Sequence, residues 1–398
     1  MPESDPGLDV DFFSPELRAD PWPYYARLRE AAPVHRRPSG DWFLTRYADC
    51  QGVLADPRCS SNPAHEATPS EGSPARREGS NLLLFLDPPD HTRLRRLVSK
   101  AFTPRRVEAL RPRVEELVDQ LLDDVAGAGS FDVLDALAFP LPVIVICELM
   151  GVPAEDRDAL KDWSTAASRL LDPDVAGDTM EQGLLAALGL AGYFGELFEE
   201  RRRAPQDDLV SGLVAAEEEG DRLSADELRA ITVLLFIAGH ETTMNLIGNG
   251  TYALLRHPDQ LALVRDDPEV ARSAVEELLR YDGPVHATAR VPIEDLDIDG
   301  TTVPAGQRMV VALGAANRDP AQFPDPDRLD VTRPDNRHLT FSHGMHFCLG
   351  ASLARVEGQV AIPRLLQRFP DMQLAAEPAY REHLVLRGLT ELRVTASA

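Results

Sequence analysis

Ten consecutive residues, Phe341-Ser342-His343-Gly344-Met345-His346-Phe347-Cys348-Leu349-Gly350, carry the strongest chemical signal in the chain. A cysteine ligates metal as its thiolate, so its surroundings must keep it deprotonated and shielded. A helix beginning just after Cys348 aims free backbone N–H groups at the sulfur. Gly344 permits a tight turn, and Gly350 permits close approach to a flat group. Phe341 can cover the sulfur, and His346 can donate to a carboxylate. A thiolate so placed can bind iron axially and push electron density toward a dioxygen on the opposite side, favouring O–O cleavage. The plain alternative is a buried free cysteine beside a turn.

Three other groups have chemistry to offer. In Ala238-Gly239-His240-Glu241-Thr242-Thr243, a glycine inside a helix costs ~1 kcal/mol against alanine and needs a reason. Ala238 and Thr242 are four apart and share a face. Small residues with a hydroxyl there form a shallow groove for dioxygen and water, with Glu241 as the neighbouring acid. A zinc helix of the H-E-x-x-H type is excluded, because Met244 stands where the second histidine is needed. His91 and Arg95, also four apart, follow Pro88-Pro89 and are candidate donors to a buried carboxylate, as is Arg290. Glu277 and Arg280 sit one helical turn apart and can pair, although such pairs are common on solvated faces.

The ten-residue loop resembles, at every fixed position, the heme-binding loop of the cytochrome P-450 family, F-x-x-G-x-[HR]-x-C-x-G. The helix motif is similar to the family's A-G-x-[DE]-T, and Glu277-Leu278-Leu279-Arg280 to its E-x-x-R. In Phe323-Pro324-Asp325-Pro326-Asp327-Arg328, Arg328 resembles the third member of the family's buried Glu-Arg-Arg triad. The resemblance spans essentially the whole chain. It implies that Cys348 ligates the iron of heme b (iron protoporphyrin IX). His91, Arg95, Arg290 and His346 then serve the propionates, and Ala238, Phe341 and Gly350 lie against the macrocycle. Glu241 and Thr242 become the acid–alcohol pair that handles protons. Leu83, Phe85, Val285 and Leu389 fall in the family's substrate-contact regions.

The implied reaction inserts one atom of O2 into a small apolar organic substrate, by hydroxylation or epoxidation, in bacterial secondary metabolism or catabolism. No G-x-G-x-x-G follows a strand, so no nicotinamide- or flavin-binding domain is expected. Electrons then come from a separate ferredoxin and its NAD(P)H-dependent reductase. Two other readings stay open: a peroxide-driven heme-thiolate peroxygenase and a non-catalytic heme sensor. The intact Glu241-Thr242 pair argues against both.

These groups need a scaffold. Ser224-Ala225-Asp226-Glu227 is a capping box, and the helix it opens runs to His257-Pro258, roughly 50 Å. Residues 90–271 are mainly helical, with another helix near 267–281 and a last one after Cys348. A hairpin is expected from 34–36 and 42–47 around Pro38-Ser39-Gly40-Asp41. Further β segments fall in 289–303 and after Met372, and a proline- and aspartate-rich meander in 317–337. Residues 57–86, whose first part is rich in Pro, Ser, Gly and Glu, read as a mobile loop on the substrate side. The expected fold is mainly α with small β sheets, one domain over 1–398, a triangular prism as in the family.

Composition sets the outer limits. The chain has 398 residues and a formal charge of −24, which excludes nucleic acid as a general partner. Only Lys100 and Lys161 are lysine among 41 basic residues, and with 32 prolines this points to a GC-rich, actinobacterial source. The N-terminus has no secretory pattern, and the longest apolar runs, 230–238 and 137–146, fall short of the roughly 20 residues of a membrane span. No cysteine pair has C-x-x-C spacing, and Cys147 sits in an apolar segment and reads as a small core residue. A cytoplasmic enzyme without a membrane segment is expected. Arg93, Arg95, Arg96, Lys100, Arg105, Arg106, Arg111 and Arg113 face only Glu108 in their stretch, a basic run suited to an acidic ferredoxin.

Overall fold

The computed structural model describes residues 8, 14–68, 82–101, 103–172, 175, 177–218, 221–383 and 385–396. The helices that build or brace the site are α1 (Tyr47–Ala55), α2 (Asp90–Ala101), α3 (Arg111–Asp124), α4 (Pro140–Met150), α5 (Arg157–Ser168), α6 (Gly177–Arg203), α7 (Ala225–Leu255), α8 (Ala271–Asp282) and α9 (Ala351–Arg368). At the start of α7 the Ser224 hydroxyl accepts from the Glu227 N–H at 3.2 Å, and the Glu227 carboxylate accepts from the Ser224 N–H at 2.8 Å. This is the expected capping box, and 31 helical residues follow it. A helix apolar on nearly every side must be buried. Accordingly α7 packs against α4, α5, α6, α8 and α9. Among the described residues it alone is long and apolar enough to cross a membrane, and 61% of its most apolar window is buried inside the protein.

Gly239 finds its reason in this packing. A Cβ there would lie 3.0 Å from Ile146 Cδ1 of α4. The glycine serves helix–helix contact, and the open face expected around it belongs to Ala238 and Thr242 instead.

The main sheet runs in the order Val34–Arg36, Trp42–Leu44, Met309–Val311, Thr288–Pro292, Cys59–Ser60. Its hairpin turns at Gly40, whose φ of 93° suits glycine. The second strand stops at Leu44, short of the expected Tyr47, because Asp319 Oδ2 accepts the Tyr47 N–H at 2.8 Å and starts α1 there. A second sheet joins Gln373–Leu374, Arg393–Thr395 and Ser130–Asp132. Within the 57–86 stretch, Cys59–Ser60 is a sheet edge, and Pro63–His65 and Leu83–Phe85 are short 3-10 turns. The mobility expected of residues 69–81 lies outside the described residues.

One expectation fails. Arg328 is exposed and is not the third member of the buried charge cluster. Glu277 and Arg280 pair twice, at 2.7 and 2.8 Å, and both side chains are fully buried. The third member is Arg333, whose Nε lies 3.1 and 3.2 Å from the two Glu277 oxygens. Asp325 adopts φ 47° and the chain turns back on itself, with the Arg328 N–H bonded to the Asp325 carbonyl at 3.0 Å. That turn sends the Arg328 side chain outward, while its carbonyl accepts from Arg280 and Arg333, each at 3.1 Å. Asn336 and the Asp330 N–H complete the Glu277 carboxylate, both at 2.9 Å. A buried charge cluster is tolerable only when paired this fully. Arg333→Ala should therefore cost ~3–5 kcal/mol in urea unfolding of the holoprotein. Arg328→Ala, which keeps its carbonyl, should stay within ~0.5 kcal/mol. Equal losses would contradict the assignment.

Candidate functional site

The loop before α9 is closed by the Cys348 N–H, which donates to the Phe341 carbonyl at 2.9 Å. Gly344 is obligatory: its φ is 70°, and a Cβ would meet the Leu54 carbonyl oxygen of α1 at 2.6 Å. Helix α9 begins at Ala351, so the N–H groups of Gly350 and Ala351 are free to donate to the Cys348 sulfur. Burial pushes the thiol up, while those two N–H groups, Arg95 and Arg355 favour the thiolate. The residue is accessible, whereas Cys147 is packed away in the core. Phe341 is buried beneath the loop, edge-on to Phe347 at 6.3 Å, with the Arg355 guanidinium 4.6 Å above its ring. Arg355 is itself held by Glu276 at 2.6 and 2.8 Å.

Around the loop the fold gathers the four donors that the sequence had scattered. His91 and Arg95 come from α2, Arg290 from the strand Thr288–Pro292, and His346 from the loop. The two imidazoles lie 4.2 Å apart. Both Nε2 atoms, of His91 and His346, are buried without a hydrogen-bond partner. Among the described residues, the buried Arg290 reaches only the Ala289 carbonyl (2.7 Å) and, marginally, the Thr288 hydroxyl (3.5 Å). Arg95 donates to the Phe347 carbonyl at 2.6 Å. The nearby carboxylate of Asp87 is occupied by Ser60 and the Ser61 N–H. Burial and mutual repulsion disfavour the charged forms of this group. His346 is held at about 3 by burial, then by Arg290, His91 and Arg95. His91 is lowered chiefly by burial and Arg95, and burial brings Arg290 down to about 10. A group bearing two carboxylates relieves both the unpaired donors and the repulsion. Together with an accessible thiol, this donor set fits an iron porphyrin.

On α7, Ala238 is exposed and Thr242 half-buried, while His240, Glu241 and Thr243 between and beside them are buried. The Thr242 hydroxyl donates to the Ala238 carbonyl at 2.8 Å, so it presents its lone pairs to the open face. Glu241 turns elsewhere. Its Oε2 accepts from Arg381 Nη1 at 3.1 Å, and its Oε1 lies 3.7 Å from His240 Nε2. Burial works against the charge, but His240 and Arg381 outweigh it and hold the carboxyl down at about 2.

Arg381 is the partner of Glu241 that sequence reasoning missed. It also donates to Asn245 Oδ1 (2.8 Å) and the Leu389 carbonyl (3.1 Å), tying the C-terminal segment to α7. No motif marks it, since its partner lies 140 residues away. Arg355 was missed for a similar reason, although its position one turn into α9 was a usable signal. Of the residues expected to contact substrate, Leu83 and Leu389 join the core cluster that includes Phe236 of α7. Phe85 is half-buried in the 3-10 turn beside α7. Val285 pairs with Leu386 across an isolated bridge and packs with the separate cluster around the main sheet.

The model of the family described as cytochrome P-450 matches residues 43–377. The chain is 47% identical over 394 residues to the vitamin D(3) 25-hydroxylase of Pseudonocardia autotrophica, covering 97% of this chain and 96% of that one. It is 45% identical to the 6-deoxyerythronolide B hydroxylase of Saccharopolyspora erythraea, with 98% of each chain covered. Among solved structures, CYP164A2 of Mycobacterium smegmatis in its ligand-free state superposes with a TM-score of 0.91 at 44% identity, over 98% of this chain and 100% of that one. Sequence and fold agree over the same near-complete length, so the chain belongs to the cytochrome P-450 family and is a heme-dependent monooxygenase.

Proposed function

We propose that Cys348 is the thiolate ligand of the heme iron, that His91, Arg95, Arg290 and His346 receive the propionates, and that Glu241 and Thr242 manage proton delivery. The observation that carries this reading is a set of buried donors without carboxylate partners, gathered beside an accessible thiol at the start of α9. When bound, the heme supplies reductive activation of O2: substrate R–H, O2, two electrons and two protons give R–OH and water. The chain's residues do the rest. The N–H groups of Gly350 and Ala351, with Arg95 and Arg355, stabilise the Cys348 thiolate, and Phe341 keeps water from it. Thr242 Oγ1 accepts a hydrogen bond on the open face while its own proton rests on the Ala238 carbonyl. Glu241 serves as the acid behind it, once released from Arg381.

The electron donor is a separate ferredoxin in this reading. Within the basic run on and after α2, Arg95 reaches the thiol loop through the Phe347 carbonyl, which supports docking on that side. Much of that run is engaged internally: Arg93 pairs with Glu227, Arg111 with Glu108 and Gln359, and Arg113 with Glu116 and Glu148. The steering charge is therefore smaller than the sequence count. Four free cysteines support a reducing cytoplasmic setting. Two relatives named for vitamin D(3) and 6-deoxyerythronolide B make those compounds the first ligands to screen by displacement of iron-bound water.

Three outcomes test the reading. Cys348→Ala should lose the red-shifted Soret band of the reduced carbon monoxide complex, and retention of that band removes Cys348 as ligand. Thr242→Ala should keep consuming NAD(P)H while product formed per NAD(P)H falls on the order of 10²-fold, the lower worth of positioned proton transfer. An unchanged ratio contradicts the role. Arg96→Glu and Arg106→Glu should slow ferredoxin-driven reduction and flatten its salt dependence, because screening reaches about 8 Å near physiological ionic strength. Peroxide-driven turnover should be unaffected, and equal loss in both assays would assign these arginines to folding or heme binding.

A further inference from the structure

The Glu241 carboxyl presents a difficulty that the structure also resolves. Held at about 2 and paired with Arg381, it carries no proton to give at neutral pH. Its other neighbour is His240, which is fully buried between the rings of Phe139 (6.1 Å) and Phe236 (5.8 Å). The Nδ1 atom of His240 lies 3.2 Å from the Phe236 carbonyl oxygen and 3.4 Å from Ser164 Oγ of α5. A carbonyl only accepts, and it is the nearer of the two, so Nδ1 carries hydrogen. In the neutral ring Nε2 is then a bare lone pair. That lone pair faces Glu241 Oε1 at 3.7 Å, and both atoms are buried with no hydrogen-bond partner. Two lone pairs opposed in a water-poor site cost free energy that a single proton between them removes.

We propose that His240 and Glu241 share one exchangeable proton, stored on His240 Nε2 and passed to Glu241 Oε1, which makes His240 the positioning residue that loads the acid. This rests on the reading of Glu241 and Thr242 as the proton-handling pair. Arg381 beside Oε2 favours the carboxylate, so the proton rests on the imidazole. When the Arg381 contact lengthens, the N–H bond breaks and an O–H bond forms on Oε1. Glu241 is then a neutral acid beside Thr242, and a proton from water returns to Nε2. The charged groups facing this pair are few. Arg381 approaches from the C-terminal segment, and Lys161 of α5 holds its ammonium 4.1 Å over the Phe139 ring. At this level α4 and α6 present Ile146 and Phe194, which carry no charge.

The direct test is nitrogen NMR of 15N-histidine-labelled holoprotein in the diamagnetic reduced carbon monoxide state, with His240→Gln identifying the resonances. At neutral pH both His240 nitrogens should resonate as protonated, and deprotonation at high pH should occur at Nε2. A bare nitrogen at neutral pH, at either position, overturns the proposal without reference to any variant's activity. In turnover, His240→Gln can still donate to Glu241 but cannot store a proton. Its product per NAD(P)H should fall ~10-fold near neutral pH and recover as the pH is lowered far enough to protonate Glu241 directly. A wild-type ratio and pH profile in His240→Gln, with Thr242→Ala uncoupled, removes the inference and leaves the proposed function standing. If Thr242→Ala is also coupled like wild type, the proton-handling reading itself fails.

Discussion

Clustered hydrogen-bond donors without a carboxylate of their own are the constraint on which the rest of this structure depends. His91, Arg95, Arg290 and His346 arrive from three separate elements and repel one another, to the point that His346 is driven to about 3 by burial and its three neighbours. Unpaired buried donors cost free energy until something pairs them. In the proposed reading the heme's two carboxylates are that partner, and a group that binds only the folded chain stabilises it by mass action. The scaffold must nonetheless bring these donors together by means of its own. The sheet does so for Arg290, which sits opposite Met309 in the ladder. For the thiol loop it is Gly344 pressed on α1, and behind α9 the Glu276–Arg355 pair.

Helix α7 meets two demands at once. Its outer faces are packed into the core, where even Gly239 is committed to Ile146. Its remaining face, at Ala238 and Thr242, stays open. The acid between these duties faces neither the core apolar residues nor the open side, but Arg381 and His240. The helix therefore separates the Thr242 hydroxyl on the open face from the groups that hold the Glu241 carboxyl ionised. Residues 241, 244 and 245 on one side all touch Arg381.

The meander shows where motif reading stops. Glu277 and Arg280 were legible because helical spacing places them one turn apart. Which arginine of the following loop joins them depends on a left-handed Asp325, which turns the chain so that Arg328 contributes a carbonyl and Arg333 the guanidinium. Spacing along an irregular loop carries no rule comparable to the helical turn. The same limit applies to the hairpin, whose second strand ends early because Asp319, 272 residues away, caps α1.

The sequence by itself determined what is local. The capping box set the start of α7, the ten-residue loop set the turn, the thiol and the helix that follows, and i, i+4 spacing paired His91 with Arg95 and Ala238 with Thr242. Each of these is a short-range arrangement in which residue type and period dictate geometry. Only the tertiary structure decided that Arg381 restrains Glu241, that Glu276 holds Arg355 against Phe341, and that four scattered donors lie together. These are contacts between residues far apart in the chain, settled by which surfaces pack together, and no local period or motif encodes them.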